Sequence, residues 1–327
     1  MFDMGLNPYG LTYHLGLQGH GTARANPKGA GLDGFIALGR ELGAKTLEIH
    51  EPWLGALDSK ALAGVKARLD ELGMTPIISA GLQTADFESC LRSAKGLDAR
   101  LLRFALTPIL CGDRNAAGPR WAELVASVRA KLASFAPRAA AANLRVGIEN
   151  HQDFTSRELV ALCEETGFNT GIVYDTGNSF PVAEAPLDFT RVIAPHVAHL
   201  HLKDYRVQPT DEGYRLVRCA IGDGAVPFRA LTDILAEHHK TLTAVLEPGA
   251  LEARHVRLLT PDWWRGYAPK SAPELAACLA AAKLNALPEG ADYRTPWERG
   301  ADSELNGYEL EMIRRSAANM RALGIMK

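Results

Sequence analysis

The sequence lacks four things that would each have set a class. No two cysteines have CxxC spacing, Lys and Arg are not in excess, no apolar run reaches membrane-spanning length, and no GxGxxG follows the first strand. The five cysteines (Cys90, Cys111, Cys163, Cys219, Cys278) are odd in number and lie in or beside apolar segments. They read as reduced thiols of a cytoplasmic protein rather than as a disulfide framework or thiolate metal site. With 36 Lys+Arg against 38 Asp+Glu, the net charge of −2 gives no reason to expect a nucleic-acid partner. The opening "MFDMGLNPYG" has neither a basic region nor an apolar core, so no secretory signal is expected. The absence of 18 consecutive apolar residues removes the expectation of a membrane span. Gly19 and Gly21 have no third glycine to complete a dinucleotide fingerprint, which counts against a doubly wound sheet.

What is present is a repeated alternation of short β-like runs and amphipathic segments. The strand candidates are residues 5–15, 45–51, 75–81, 100–106, 145–150, 170–176, 197–204 and 241–248. Helical patterns cover 32–44, 58–74, 120–143, 155–167, 228–239 and 272–287, with room for only a short helix between strands six and seven. Asp58 is a cap, Thr155 with Glu158 forms a capping box, and Gly43 and Gly167 are stops. Eight β–α units without a break in composition point to an α/β fold, a (β/α)8 TIM barrel over residues 1–287. Residues 205–226 read as a hairpin inserted after strand seven, and residues 250–271 as a long loop after strand eight. Residues 288–327 form a C-terminal helical extension, packed on the barrel or on a neighbouring subunit of a homo-oligomer.

Side chains at the C-terminal strand ends of such a barrel converge on one mouth. Those ends hold Glu149 in "GIENH", Asp175 in "VYDTGN", His201 or Asp204 in "HLHLKD", and Glu247 in "VLEPG". The step from Glu149 to Asp175 is 26 residues, as is the step from Asp175 to His201, so they sit at equivalent heights. Carboxylates crowded so closely repel one another, and a divalent cation removes the conflict. The oxygen-rich set suits Mn²⁺ best, with Mg²⁺ and Co²⁺ close and Zn²⁺ less natural.

In order, "IENHQD", "YDTGN", "HLHLKDY" and "LEPG" resemble the xylose isomerase-like TIM barrels, the sugar isomerase/epimerase group, over about residues 5–287. The resemblance implies one divalent metal held by Glu149, Asp175, His201 and Glu247. It also implies that Glu149 and Glu247 move protons on opposite faces of a substrate carbon, through a metal-bound enediolate. Some epimerases of this group have His three residues after the metal-binding Asp; here that place holds Asn178, so their substrate preference does not carry over.

Other mouth candidates for a carbohydrate substrate are His50, His151, Asn178 and Lys203. Arg103, mid-strand in an apolar run, either pairs with a mouth carboxylate or binds an acidic substrate. Arg218, Arg254 and His255 lie in the inserted segments, where Trp263, Trp264 and Tyr267 either form a lid or simply anchor the loop. The expected function is metal-dependent isomerisation or epimerisation of a keto-sugar or sugar acid. The alternative is a lyase of the same fold, a decarboxylase of a 3-oxo sugar acid or an eliminase of a 3-keto glycoside. Related abasic-site endonucleases need extra histidines that Asn178 and the segment after strand seven do not supply.

Overall fold

In the computed structural model, which describes residues 1–327 apart from Phe168 and Asn285, eight parallel strands close into a barrel. They are β1 (Gly5–Leu6), β2 (Thr46–His50), β3 (Thr75–Gly81), β4 (Leu101–Ala105), β5 (Arg145–Glu149), β6 (Thr170–Asp175), β7 (Val197–Leu202) and, after an inserted hairpin β8 (Tyr205–Thr210) and β9 (Gly213–Arg218), strand β10 (Thr243–Leu246). Closure comes from β1, which pairs with both β2 and β10. A final short strand, β11 (Arg254–Val256), joins the hairpin as a three-stranded antiparallel sheet. The insert was legible as a hairpin; its third strand, supplied by the 250–271 loop, was not.

Alternation decides what faces where. Leu47, Ile49, Phe104, Ile148, Tyr174, Leu200 and Leu202 point outward and are buried under helices. Each fully buried aliphatic or aromatic side chain contributes roughly 1.5–3 kcal/mol. The opposite faces of the same strands carry Glu48, Arg103, Glu149, Asp175, His199, His201 and Glu247 into the barrel, all nearly or fully buried. Strand β1 is shorter than the expected 5–15 because Pro8 and Gly10 turn the chain into a 3-10 segment, capped by Asn7 accepting from the Tyr9 N–H.

The helices are α1 (Gly31–Leu42), α2 (Glu51–Gly55), α3 (Ser59–Glu71), α4 (Phe87–Leu97), α5 (Trp121–Ala141), α6 (Ser156–Thr166), α7 (Pro186–Ile193), α8 (Phe228–His238), α9 (Ala272–Leu284) and α10 (Leu305–Ala322). The Asp58 cap and the Thr155–Glu158 capping box form as expected. Helix α4 was not foreseen, although Asp86 caps it and Cys90, Ala94 and Leu97 make its buried stripe. Residues 272–287 were expected to complete the barrel; α9 stops at Leu284, Asn285 lies outside the described residues, and the helix packs on the inserted sheet, with Cys278 against Tyr214. The place beside β10 goes instead to α10, which buries Ile313, Ala317 and Met320 and ties to α1 through Arg314–Glu41 and Arg321 to the Leu42 carbonyl. Among the described residues no helix is long and apolar enough to cross a membrane.

Two anchors shape the loops over the mouth. Trp263 and Tyr267 donate to the carbonyls of Cys111 and Gly112, and Arg114 stacks on Tyr267 while pairing with Glu158. Gly112 has φ +64, and a Cβ there would fall 2.6 Å from the Trp263 ring, so only glycine fits. Asp204, just beyond β7, accepts backbone N–H bonds from Tyr205, Gly222, Gly224 and Val226 at 2.8–3.0 Å. Truncation by Asp204→Ala leaves four backbone donors without their acceptor, those of Tyr205 and Val226 buried, and is expected to lower stability by about 3 kcal/mol or more in urea unfolding. An unchanged midpoint would show that the turn does not depend on this carboxylate.

Candidate metal centre

Strand β7 carries the centre of the site. His201 presents its two ring nitrogens to opposite sides of the barrel interior. Nδ1 lies 3.0 Å from Glu149 Oε1 and 2.9 Å from Glu247 Oε2, and Nε2 lies 2.5 Å from Glu48 Oε2. Lys203, two residues on and on the same face, bridges Asp175 Oδ2 at 2.5 Å and Glu247 Oε1 at 2.6 Å. Arg103 bonds Glu149 on one side and Ser79 Oγ, at 3.1 Å, on the other. One potential ligand atom from each of Glu149, Asp175, His201 and Glu247 lies within 4.8 Å of all the others. Asp204, the other reading at the end of strand seven, is turned away into its backbone cradle.

Charges in this dry interior set one another's state. Burial by itself would raise Glu149, yet Arg103, His151 and His201 hold it well below the ordinary carboxylate range. Glu247 is drawn down to about 2 against the same burial, chiefly by Lys203 and His201. Asp175 goes the other way, to about 7, because burial and the negative Glu247 and Glu149 outweigh Lys203. Burial also works against a charged His201, but Glu48, Glu247 and Glu149 push it well above the usual imidazole range.

Four carboxylates (Glu48, Glu149, Asp175, Glu247) thus face two permanent cations, Arg103 and Lys203. The deficit is what one dication supplies if His201 is neutral. The donor set fits such an ion. Glu247 Oε2 is buried, 2.9 Å from His201 Nδ1, with its hydrogen-bonding capacity otherwise unused. Glu48, His199 and His201 form a second trio of similar closeness. There the Arg103 Nε sits 3.7 Å from Glu48 Oε1, so a cation is already in place beside it.

The remaining expected residues divide. His151 is half-buried beside Glu149, its Nδ1 unpartnered and its pKa lowered to about 4 by burial. Asn178 is fully buried, and neither polar atom of its amide has a partner. His50 meets the Tyr9 hydroxyl at 3.1 Å and stands edge-on to Trp53, its pKa lowered to about 4 by burial and Arg103. Glu51, next in the chain, turns from the mouth and accepts from Ser89 and Ser93 on α4. Arg218, expected among the substrate contacts, donates to the carbonyls of Gly249 and Gly10 at 2.5 and 2.6 Å and braces those two loops. For His255, also expected there, strand alternation gives a place on the outer face of the inserted sheet, bonded to Thr210. Arg254, its neighbour, takes the inner face with Val207, Leu216 and Tyr205. Its Nε is buried without an acceptor, as are those of Arg103 and Arg218, whose terminal nitrogens do reach acceptors.

Two residues escaped the sequence reading. Glu48 alternates with Leu47 and Ile49 on β2 and shares the inner face with His50, a period-2 signal that was available. Tyr205 follows Asp204; its ring lies against Gly177 and Gly249, and its buried hydroxyl is unpartnered.

Because Asp175 holds its proton to about 7 and His201 holds one well above the usual imidazole range, a cation must displace protons on entering. Mn²⁺ affinity of the metal-free protein is expected to rise between pH 6 and pH 8, with proton release seen as a buffer-dependent heat in calorimetry. Affinity that is flat or falls over that range would contradict these protonation states.

Comparison with known proteins agrees with this architecture. Residues 36–260 match the family model described as xylose isomerase-like TIM barrel. The protein YihM of Escherichia coli (strain K12) is 34% identical over 85 residues, a segment spanning only 26% of each chain. The 3-oxo-isoapionate decarboxylase of Pectobacterium atrosepticum is 24% identical over 247 residues, covering 73% of this chain and 86% of that one. A crystal structure of D-psicose 3-epimerase in the presence of D-fructose superposes with a TM-score of 0.59 over 99% of both chains at 16% identity, a likeness of fold. The chain belongs to the xylose isomerase-like TIM barrel family.

Proposed function

We propose that the protein is a divalent-metal-dependent isomerase or epimerase of a small keto-sugar or sugar acid, with Glu149 and Glu247 as its acid–base pair. The observation that carries this reading is the buried quartet itself, with its two glutamates 3.0 and 2.9 Å from His201 Nδ1 and each beside its own cation. A bound dication, Mn²⁺ by preference and Mg²⁺, Co²⁺ or Zn²⁺ otherwise, would be held by Glu149, Asp175, His201 and Glu247 and would polarise the substrate carbonyl. Glu149 ends β5 and Glu247 directly follows β10, strands that β6 and β7 separate. One carboxylate can therefore take a proton from one face of the carbon next to the carbonyl while the other returns it to the opposite face. Arg103 and Lys203 keep the two glutamates ionised and fixed. The unpartnered polar atoms of His151, Asn178 and Tyr205 offer hydrogen bonds to substrate hydroxyls.

A second reading, decarboxylation of a 3-oxo sugar acid, is favoured by the decarboxylase relative and by Arg254, an inward-facing guanidinium that a substrate carboxylate would satisfy. Solvent deuterium separates the two. The Mn²⁺-loaded protein is expected to introduce deuterium at carbon without loss of mass from ketoses or sugar acids, whereas CO₂ release assigns the lyase. Glu149→Gln and Glu247→Gln are each expected to lower turnover by a factor of about 10² or more. Full turnover in either variant removes the paired-glutamate mechanism. For Arg254→Ala, KM should rise roughly tenfold or more for carboxylate substrates and stay level for neutral ketoses. Equal effects on both would leave Arg254 without a part in selecting acids.

A further inference from the structure

Glu48 has no role in the scheme above, yet it is the most costly residue of strand β2. Its carboxylate is fully buried halfway along the strand, with Leu47 and Ile49 on either side in sequence. Burying a charge there is expensive unless it is paired and hydrogen-bonded. We infer that Glu48 is the positioning residue of the metal centre, holding the His201 ring so that Nδ1, and not Nε2, faces the cation; this rests on the metal-dependent reading of the site.

The ring itself supplies the geometry. Its Nε2 edge meets Glu48 Oε2 at 2.5 Å, and its Nδ1 edge meets the two ligand glutamates at 3.0 and 2.9 Å. A neutral imidazole has one N–H and one lone pair. With the hydrogen kept at Nε2 by a carboxylate, the lone pair is left at Nδ1, aimed among Glu149, Asp175 and Glu247. Glu48 therefore acts from behind the ring, outside the quartet that would touch the ion.

Its neighbours keep Glu48 in that place. The Arg103 guanidinium lies 3.7 Å from Glu48 Oε1 and also grips Glu149, so one cation ties the orienting carboxylate to a ligand carboxylate. His199 stands edge-on to His201, with ring centroids 5.5 Å apart, and is fixed by Thr243 through Nδ1 at 2.6 Å. His201 thus has a wall on one side and a hydrogen-bond acceptor behind it. A ring in this position has little freedom to present its other nitrogen.

The test is a Mn²⁺ titration of metal-free protein, wild type against Glu48→Ala and Glu48→Gln, with thermal unfolding and circular dichroism confirming the fold of each. Removing an outer partner of a metal-bound histidine typically weakens binding 10- to 100-fold. Glu48→Ala is expected to lose affinity by that factor, and excess Mn²⁺ should restore its kcat. The carbonyl oxygen of the Gln variant can still accept from Nε2–H, so Glu48→Gln should recover most of the affinity. With Co²⁺ in place of Mn²⁺, the visible absorption of Glu48→Gln should match wild type and that of Glu48→Ala should not. Wild-type affinity in Glu48→Ala, or a Gln variant as weak as the Ala variant, overturns the inference while wild-type Mn²⁺ binding leaves the proposed function standing. A wild-type protein that binds no dication overturns both. If the Ala variant does not fold, the Gln variant and its Co²⁺ spectrum decide.

Discussion

An excess of negative charge buried where the strands end is the constraint on which the rest of this molecule depends. Carboxylates in a dry interior are tolerated only when opposite charge and hydrogen bonds surround them. Arg103 and Lys203 provide part of that charge from β4 and from just beyond β7. His201, holding a proton or facing a cation, provides the remainder. The barrel makes the arrangement affordable, because its outer strand faces bury Leu, Ile, Val and Phe against the helices and leave the inner faces free for polar groups.

The same constraint explains how much of the chain is devoted to loops. The inserted sheet of β8, β9 and β11 covers the side of the mouth where Lys203 and Asp175 meet, with Tyr205 wedged against Gly177 and Gly249. Arg218 reaches from that sheet to the loops after β1 and β10, and Asp204 ties its base to residues 222–226. On the far side, Trp263 and Tyr267 pin the 250–271 segment to Cys111 and Gly112. Water is thereby kept from the quartet, and the interactions between charges stay strong. Trp263 and Tyr267 anchor the loop through these bonds, while Trp264 bonds the Leu258 carbonyl within it.

Several site residues were legible because strands alternate. His199, His201 and Lys203 share one face by alternation, and Glu149, Asp175 and His201 could be assigned to one height from spacing alone. Arg103 was correctly suspected of pairing with a mouth carboxylate. The sequence does not say how the inserted sheet orients Arg218 and His255, because its faces are defined only once β11 is paired: Arg218 then lies on the inner face, bonded to backbone carbonyls, and His255 on the outer one. Helix α10 was read as an addition for a related reason: chain order suggests α9 for the position beside β10, whereas packing against α1 selects α10.

By itself the sequence determined the β–α period, the barrel, and the set of strand-end residues able to hold a cation, since these follow from local alternation and regular spacing. Tertiary structure alone decided which acid meets which base. Glu48 and His201 are 153 positions apart and come together only because the barrel closes. Asp175 differs from Glu149 and Glu247 in its proton affinity through neighbours that no local pattern reveals. Those pairings depend on distance and burial, quantities that exist only once the chain has folded.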